Sequence, residues 1–310
     1  MQVLRNIEDL SQLKGPVALA IGVFDGVHRG HQEVIHAAQE YAVQHSGTAV
    51  VLTFEPHPLK VLRPNQAPRL LCSLDHKLAM LSRLGITHSV VHPFDSAFAS
   101  TPAEEFVEKL ASSCRPLGFI SVGYTWRFGK GGGGDIHLLM DAGERLGFGV
   151  YGVPAVHVDG FPVSSTAIRD ALTAGDLSQA RLLLGRDASV LGRVVLGRQL
   201  GRTIGFPTAN VETGAEQLPP PGVYAVRALI QGIEKPGVAN LGHRPTIAEG
   251  EAPLKLEVHL FEFDGDLYGQ DVEVSFVHHI RDERKFENLD ELKAQIARDS
   301  NQAQELLAKS

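Results

Sequence analysis

VALAIGVFDGVHRGHQEVIHAAQEYAVQ, residues 17–44, decides the fold of the first half of this chain. VALAI is a short, unbroken apolar run closed by Gly22, the mark of a strand buried on both faces. From Gln32 to Gln44 the apolar residues recur at helical spacing. AVVLTF (49–54) then supplies a second strand. The order returns twice more, with HKLAMLSRLG before THSVVHPF and PAEEFVEKLASS before GFISVG. Strand, helix and strand in repetition predict βαβ units, hence a parallel sheet covered by helices on both faces. Ligands of such sheets bind in the loops at the carboxyl ends of the strands. GVFDGVHRGHQ, following the first of these strands, is therefore the first place to look for chemistry.

The pattern changes near residue 185. SVLGRVVLG (189–197), GVYAVRALI (222–230), LKLEVHLFEF (254–263) and QDVEVSF (270–276) are short stretches of alternating polarity separated by turn chemistry such as PPPG, HRP and FDGD. They predict a closed or nearly closed antiparallel barrel. NLDELKAQIARDSNQAQELLA (288–308) follows as a terminal amphipathic helix, with Leu289, Leu292 and Ile296 on one face. No low-complexity linker separates the halves, so the boundary falls tightly, giving domains 1–184 and 185–310. The expected fold class is α/β plus all-β: a Rossmann-like parallel-sheet domain, then a β-barrel with a terminal helix. Two domains of different class invite two sites.

Length and composition agree. The 310 residues suit two domains, and 43% apolar with 21% charged residues is ordinary globular usage. A net charge of −7 and a pI near 6.0 argue against nucleic acid as the main partner. Cys72 and Cys114 lie outside any CxxC spacing and read as reduced thiols. The first residues lack an apolar signal core and the longest apolar runs are too short to span a bilayer. The expected setting is the cytoplasm, with no membrane partner.

In GVFDGVHRGHQ, His28 and His31 flank Gly30 between a strand and a helix start. A glycine lets a nucleotide lie against the backbone, and the first helical turn offers N–H groups and a positive dipole end to phosphate. Imidazoles there can donate to charge developing on phosphorus. The same pair also reads as surface or capping histidines, and no further Cys or His spacing supports zinc. VSSTAIRDAL (163–172) places Ser164, Ser165 and Thr166 before a short helix carrying Arg169. This is either an ordinary N-cap or an anion seat made of hydroxyls, amides and one guanidinium.

In the second half, GRVVLGRQLGRTIGFPTANV (192–211) is dense in Gly and Arg and carries Thr208 and Asn210, two neutral oxygen donors two apart. If extended they share a side, suited to Mg²⁺ bound together with nucleotide phosphates; the glycines also read as plain barrel turns. In LKLEVHLFEF, Leu256, Val258 and Leu260 alternate against Glu257 and His259. Glu257 is either part of a solvated face or a general base for a bound alcohol.

Together HRGH, TFEPHP (53–58) and SSTAIR resemble the amino-terminal module of bacterial bifunctional riboflavin kinase/FMN adenylyltransferases (FAD synthetases). GFPTAN, PPGVYAV, GVANLGHRPTI, LEVHLFEFDGDLYG and IRDERKFENLDELKAQI resemble the riboflavin kinase module, in the family's order. The resemblance covers nearly the whole chain. It implies ATP-dependent phosphorylation of riboflavin to FMN, then adenylyl transfer from ATP to FMN giving FAD and pyrophosphate, with Mg²⁺ as cofactor. By that resemblance His28 and His31 contact ATP phosphates beside Gly22, Phe24, Asp25 and Gly30, and Ser164, Ser165, Thr166 and Arg169 hold the pyrophosphate. Phe54, Pro56, His57, Pro58 and Phe128 border the flavin. Gly205, Thr208 and Asn210 serve ATP and Mg²⁺ in the kinase, and Glu257 activates riboflavin's 5′-hydroxyl. The implied partners are riboflavin, FMN and ATP, with transient flavoprotein acceptors or self-association left open. Thr125, Trp126 and Gly132 depart from the family's pattern, so the alternative is a riboflavin kinase with a weakened or lost adenylyltransferase site.

GKGGGGD (129–135) lacks the GK[ST] ending of a Walker loop and the spacing of a dinucleotide fingerprint. Four consecutive glycines are costly to order, so the run is expected to be a mobile flap beside the adenylylation site.

Overall fold

The structure, a computed structural model, describes residues 1–197, 205–214, 216–243 and 254–309. Its contacts divide into two compact units, Met1–Arg69 with Leu74–Ser165, and Leu70–Ser73 with Thr166–Ser310.

The first unit holds a six-stranded parallel sheet: β1 (Gln2–Leu4), β2 (Val17–Ile21), β3 (Thr48–Glu55), β4 (His88–Pro93), β5 (Leu117–Gly123) and β6 (Gly149–Val153), in the order β1-β4-β3-β2-β5-β6. Every residue of β2 is buried, as its unbroken apolar run requires of a central strand. Helix α1 (Arg29–Gln44) packs on β2, β3 and β5 through Val34, Ile35, Ala38 and Ala42. Buried Ser121 on β5 donates to the Val34 carbonyl at 2.7 Å, so β5 and α1 share a polar tie inside an apolar layer. Strand order proceeds outward from β2 through β3 to β4, then reverses to β5 and β6. The reversal puts the loops after β2 and β5 at the switch point where such sheets bind ligands. The first is GVFDGVHRGHQ; the second contains GKGGGGD.

The glycine run is a tight turn, which corrects the expectation of a flap. Phe128 and Gly134 exchange hydrogen bonds at 3.1 and 2.8 Å, and the Lys130 N–H donates to the Thr101 carbonyl at 2.7 Å. Asp135 closes the segment by accepting from His137 and Leu138 N–H at the start of helix Ile136–Leu146. Those amides, Leu138 first, together with the Arg127 guanidinium hold its carboxyl below the usual carboxylate range. Glycine is needed here for two reasons. Gly129 has φ +71°, and a Cβ on it would fall 2.6 Å from the Ala103 Cα. Gly131 has φ +63° with open space around it.

The two positions therefore separate strain from overlap. Gly129→Ala is expected to destabilise the first unit by about 3 kcal/mol, from a left-handed alanine plus backbone overlap. Gly131→Ala should cost about 1 kcal/mol, the left-handed penalty alone. The single Trp, Trp126, lies in this unit, so denaturant unfolding followed by its fluorescence makes the comparison. Equal effects would show that packing on Ala103 does not fix the turn.

The second unit is built on a closed antiparallel barrel of β9 (Ala188–Val195), β10 (Ala209–Glu212), β11 (Gly222–Ile230), β12 (Ile233–His243), β13 (Leu254–Leu260) and β14 (Asp271–Arg281), in the order β10-β13-β12-β11-β14-β9. A two-stranded ribbon, β7 (His157–Val158) and β8 (Phe161–Pro162), precedes it in the chain. Val190, Val211, Ala239, Leu241, Leu256, Val258 and Val274 are buried. The terminal helix, Leu289–Leu307, covers Val223, Ala225, Val238 and Val277 with Ala303 and Leu307. This corrects the expected helix face: Leu289 is 58% exposed, and Asp299, Ser300, Ala303 and Leu307 are buried instead. The anchor is polar. Arg281 on β14 donates to both Asp299 oxygens at 2.9–3.1 Å, and Gln295 donates to one of them at 2.7 Å. Hydropathy cannot register such a face.

Candidate functional site

The residues expected from sequence are divided between the two units. After β2 the chain makes a buried, left-handed turn: Phe24 has φ +54°, Gly26 +81° and Val27 +40°. Non-glycine residues in this region cost about 1–3 kcal/mol each and persist only where the surroundings over-determine them. Phe24, Asp25, Val27 and His28 are all buried. Gly22 passes so close to Phe24 that a Cβ would stand 3.2 Å from its ring.

His28 is the N-cap of α1, and its Nδ1 accepts the His31 N–H at 3.2 Å. That bond makes Nδ1 an acceptor, which leaves the proton of the neutral ring on Nε2. The two imidazoles stack with centroids 3.6 Å apart and planes 12° from parallel. Phe24 meets His31 edge-on at 5.3 Å. A Cβ at Gly30 would lie 3.3 Å from the His28 ring, so the glycine leaves room for the stack. The capping and phosphate readings of His28 are thus compatible: one nitrogen caps while the other carries the donor proton.

Ser165 Oγ donates to the Asp25 carbonyl at 2.9 Å, which ties the first unit's last residue to this turn. Ser164 is half-buried beside it in sequence. Thr166 and Arg169 continue the helix Ser165–Thr173, counted with the second unit.

Of the expected flavin contacts, Phe54 is the penultimate residue of β3 and Phe128 lies beyond β5. They belong to one aromatic cluster: Phe54 meets Phe94 and Phe98, Phe98 meets Phe106, and Phe106 meets Phe128 at 5.8 Å, with Trp126 stacked on Phe128 at 4.7 Å. Phe54 and Phe128 are each 6% exposed, so both also serve the core. Pro56 is exposed, and His57 and Pro58 are half-buried where His57 Nδ1 caps a short helix by accepting from the Leu59 N–H at 3.1 Å. His92 joins the cluster against Phe98, and burial lowers its basicity.

In the barrel, register does what spacing alone cannot. Asn210 on β10 lies opposite Glu257 on β13, and Glu257 lies opposite Asn240 on β12. Directly paired residues point to the same side, so the three form a row on the face opposite Leu256 and Val258. Asn210 is 7% exposed, and its Oδ1 is buried without a hydrogen bond among the described residues. Its amide lies across Gly197, where any Cβ would overlap it. Lys255 forms a close ion pair with Glu257. His259, on the same face, holds the Pro207 carbonyl through Nδ1 at 2.8 Å and meets Phe206 edge-on. Thr208 is half-buried and Gly205 exposed within the same segment, Gly205 at φ +86°. Asn240 has no local signal in the sequence, because the β12–β13 register alone brings it opposite Glu257, whereas Lys255 shares the face of Glu257 by alternation along the same strand. Residues 198–204 of the Gly/Arg-rich run, and 244–247 of GVANLGHRPTI, lie outside the described residues.

Comparison with known proteins accords with this division. Residues 10–167 match the model of the FAD synthetase family, and residues 184–307 match that of riboflavin kinase. Over 307 residues the chain is 43% identical to the bifunctional riboflavin kinase/FMN adenylyltransferase of Escherichia coli K12, covering 98% of this chain and 97% of that one. The chain belongs to the bifunctional riboflavin kinase/FMN adenylyltransferase family. The chain is also similar to the bifunctional riboflavin kinase/FMN adenylyltransferases of Haemophilus influenzae, 41% identical over 96% of this chain and 97% of its own, and Bacillus subtilis, 37% identical over 92% and 90%. A crystal structure described as a macrolide-efflux protein from Streptococcus pneumoniae shares the fold at TM-score 0.81 and 31% identity, over 96% of each chain. Efflux is said of that protein only; among the described residues here no helix is long and apolar enough to cross a membrane.

Proposed function

We propose that the chain makes FAD in two steps, with a kinase module in 185–310 and an adenylyltransferase module in 1–184. In the first, Glu257 takes the proton of riboflavin's 5′-hydroxyl, whose oxygen bonds to the γ-phosphorus of ATP as ADP leaves. In the second, a phosphate oxygen of FMN bonds to the α-phosphorus of another ATP as pyrophosphate leaves. Neither step needs a protein nucleophile, only alignment and charge stabilisation.

The observation that carries the kinase reading is the Asn210–Glu257 pair, a buried amide oxygen beside a carboxylate on one barrel face. This donor set fits Mg²⁺, a hard cation that takes neutral and anionic oxygens and keeps part of its shell for phosphate and water. Asn210 and Thr208 would hold the ion, which neutralises charge on the ATP phosphates. In the first module, His28 and His31 at a helix start meet the requirements of a phosphate cradle: amides, a dipole end and imidazole donors. Ser164, Ser165, Thr166 and Arg169 would hold the leaving pyrophosphate. Phe54, Pro56, His57, Pro58 and Phe128 border the flavin, with Trp126 widening the aromatic wall. The reduced, buried Cys72 and Cys114 suit a cytoplasmic setting; burial pushes the Cys114 thiol up to about 12.

Purified protein given riboflavin, ATP and Mg²⁺ should yield FMN first and FAD afterwards, resolved by chromatography of the flavins. FMN without FAD, also when FMN is supplied directly, would leave a kinase alone.

A further inference from the structure

The helix Leu74–Arg83 buries His76, Lys77, Met80 and Leu81, so a lysine stands in the apolar stripe of an otherwise ordinary amphipathic helix. Lys77 is only 5% exposed. An ammonium taken out of water normally meets a carboxylate, because burial of a lone charge is costly. Here both of its partners are neutral. Lys77 Nζ donates to the Val23 carbonyl at 2.8 Å and to Thr53 Oγ1 at 3.3 Å, and among the described residues no carboxylate pairs with it. Thr53, fully buried, donates in turn to the same Val23 carbonyl at 3.0 Å.

The place of that carbonyl gives the arrangement its meaning. Val23 follows β2 and directly precedes Phe24, the first of the left-handed residues that turn the chain toward His28 and His31. Thr53 lies beside Phe54 near the end of the neighbouring strand β3. One ammonium thus ties the turn bearing the two imidazoles to the strand end that leads into TFEPHP. A carbonyl accepting two hydrogen bonds, one of them charge-assisted, is fixed in direction, and a fixed Val23 carbonyl fixes the peptide plane from which the turn starts.

We propose that Lys77 is a positioning residue for adenylyl transfer, clamping the Val23 carbonyl so that His28 and His31 meet the ATP phosphates in productive geometry. The proposal rests on the adenylyltransferase reading of the first module. Small misplacements of a reacting constellation cost about 10²-fold in rate.

The test uses the full chain, with FAD formation from FMN and FMN formation from riboflavin measured on each variant. Lys77→Met should lower kcat for FAD formation about 10²-fold, with KM for ATP changed by no more than about threefold. Riboflavin phosphorylation should stay at the wild-type rate. Lys77→Gln, which keeps a donor without the charge, should recover about tenfold of the loss, and Thr53→Val should lose about tenfold. Thr53→Val is nearly isosteric and keeps the test open if Lys77→Met folds poorly. FAD formation at full rate in Lys77→Met or in Thr53→Val would overturn the proposal, as would parallel loss of both activities, which marks a general defect of folding. Wild-type protein making FMN and no FAD would sink the adenylyltransferase reading, and this one with it.

Discussion

His28→Ala is expected to lower kcat for FAD formation from FMN by about 10²–10³-fold, the usual loss on removing one donor to transition-state charge, and to leave riboflavin phosphorylation unchanged. Two roles of the imidazole are removed together, so the experiment needs a partner. The ring caps α1 through Nδ1, which accepts the His31 N–H at 3.2 Å, and losing such a cap costs about 1 kcal/mol. Asn is among the best N-caps but has no ring to stack on His31 and places its amide donor differently. His28→Asn should therefore regain the stability lost in His28→Ala, read from Trp126 fluorescence, without regaining FAD formation. If His28→Asn restores the rate, the histidine matters only as a cap. If His28→Ala also halts FMN formation, the two reactions do not occupy separate sites.

How far such residues could be read from sequence depended on whether a local pattern announces them. The central strands β2, β3, β4 and β5 are visible as apolar runs, and α1 as a helical period. β1 and β6 are not: one is three residues long, and the other, GVYGV, is broken by glycine. In the barrel, β11 is legible from end to end as GVYAVRALI, whereas Pro236 and Gly237 disrupt the strand pattern of β12, IEKPGVANLGH. The HRGH and GFPTAN segments stood out by composition. What sequence could not supply was pairing between distant strands. Asn240 becomes a member of the Glu257 row only through the β12–β13–β10 register, and Lys77 reads as an ordinary surface lysine until its helix is docked. The glycine run misled in the opposite sense. Its entropy suggested mobility, whereas its glycines satisfy left-handed backbone and close approach to Ala103.

Glu257→Gln should reduce riboflavin phosphorylation by about 10²–10⁴-fold, the range for loss of a general acid–base group, while FAD formation from supplied FMN continues at the wild-type rate. Glutamine keeps the shape of the side chain and one acceptor oxygen, so the β10–β13 pairing should survive; what it loses is the capacity to take the 5′-hydroxyl proton and the ion pair to Lys255. A solvated polar face predicts no change in either reaction, so the size of the kinase loss decides between the two readings of LEVHLFEF. Asn210→Ala gives the complementary split. Its Oδ1 is a buried acceptor without a hydrogen bond among the described residues, as expected of an atom whose partner comes with the nucleotide. Removing it should raise KM for Mg-ATP in the kinase reaction by about tenfold or more, one lost charge-assisted contact. A kinase with unaltered KM in Asn210→Ala would show that the amide supports the strand pair instead of the ion, and would move the Mg²⁺ site away from β10.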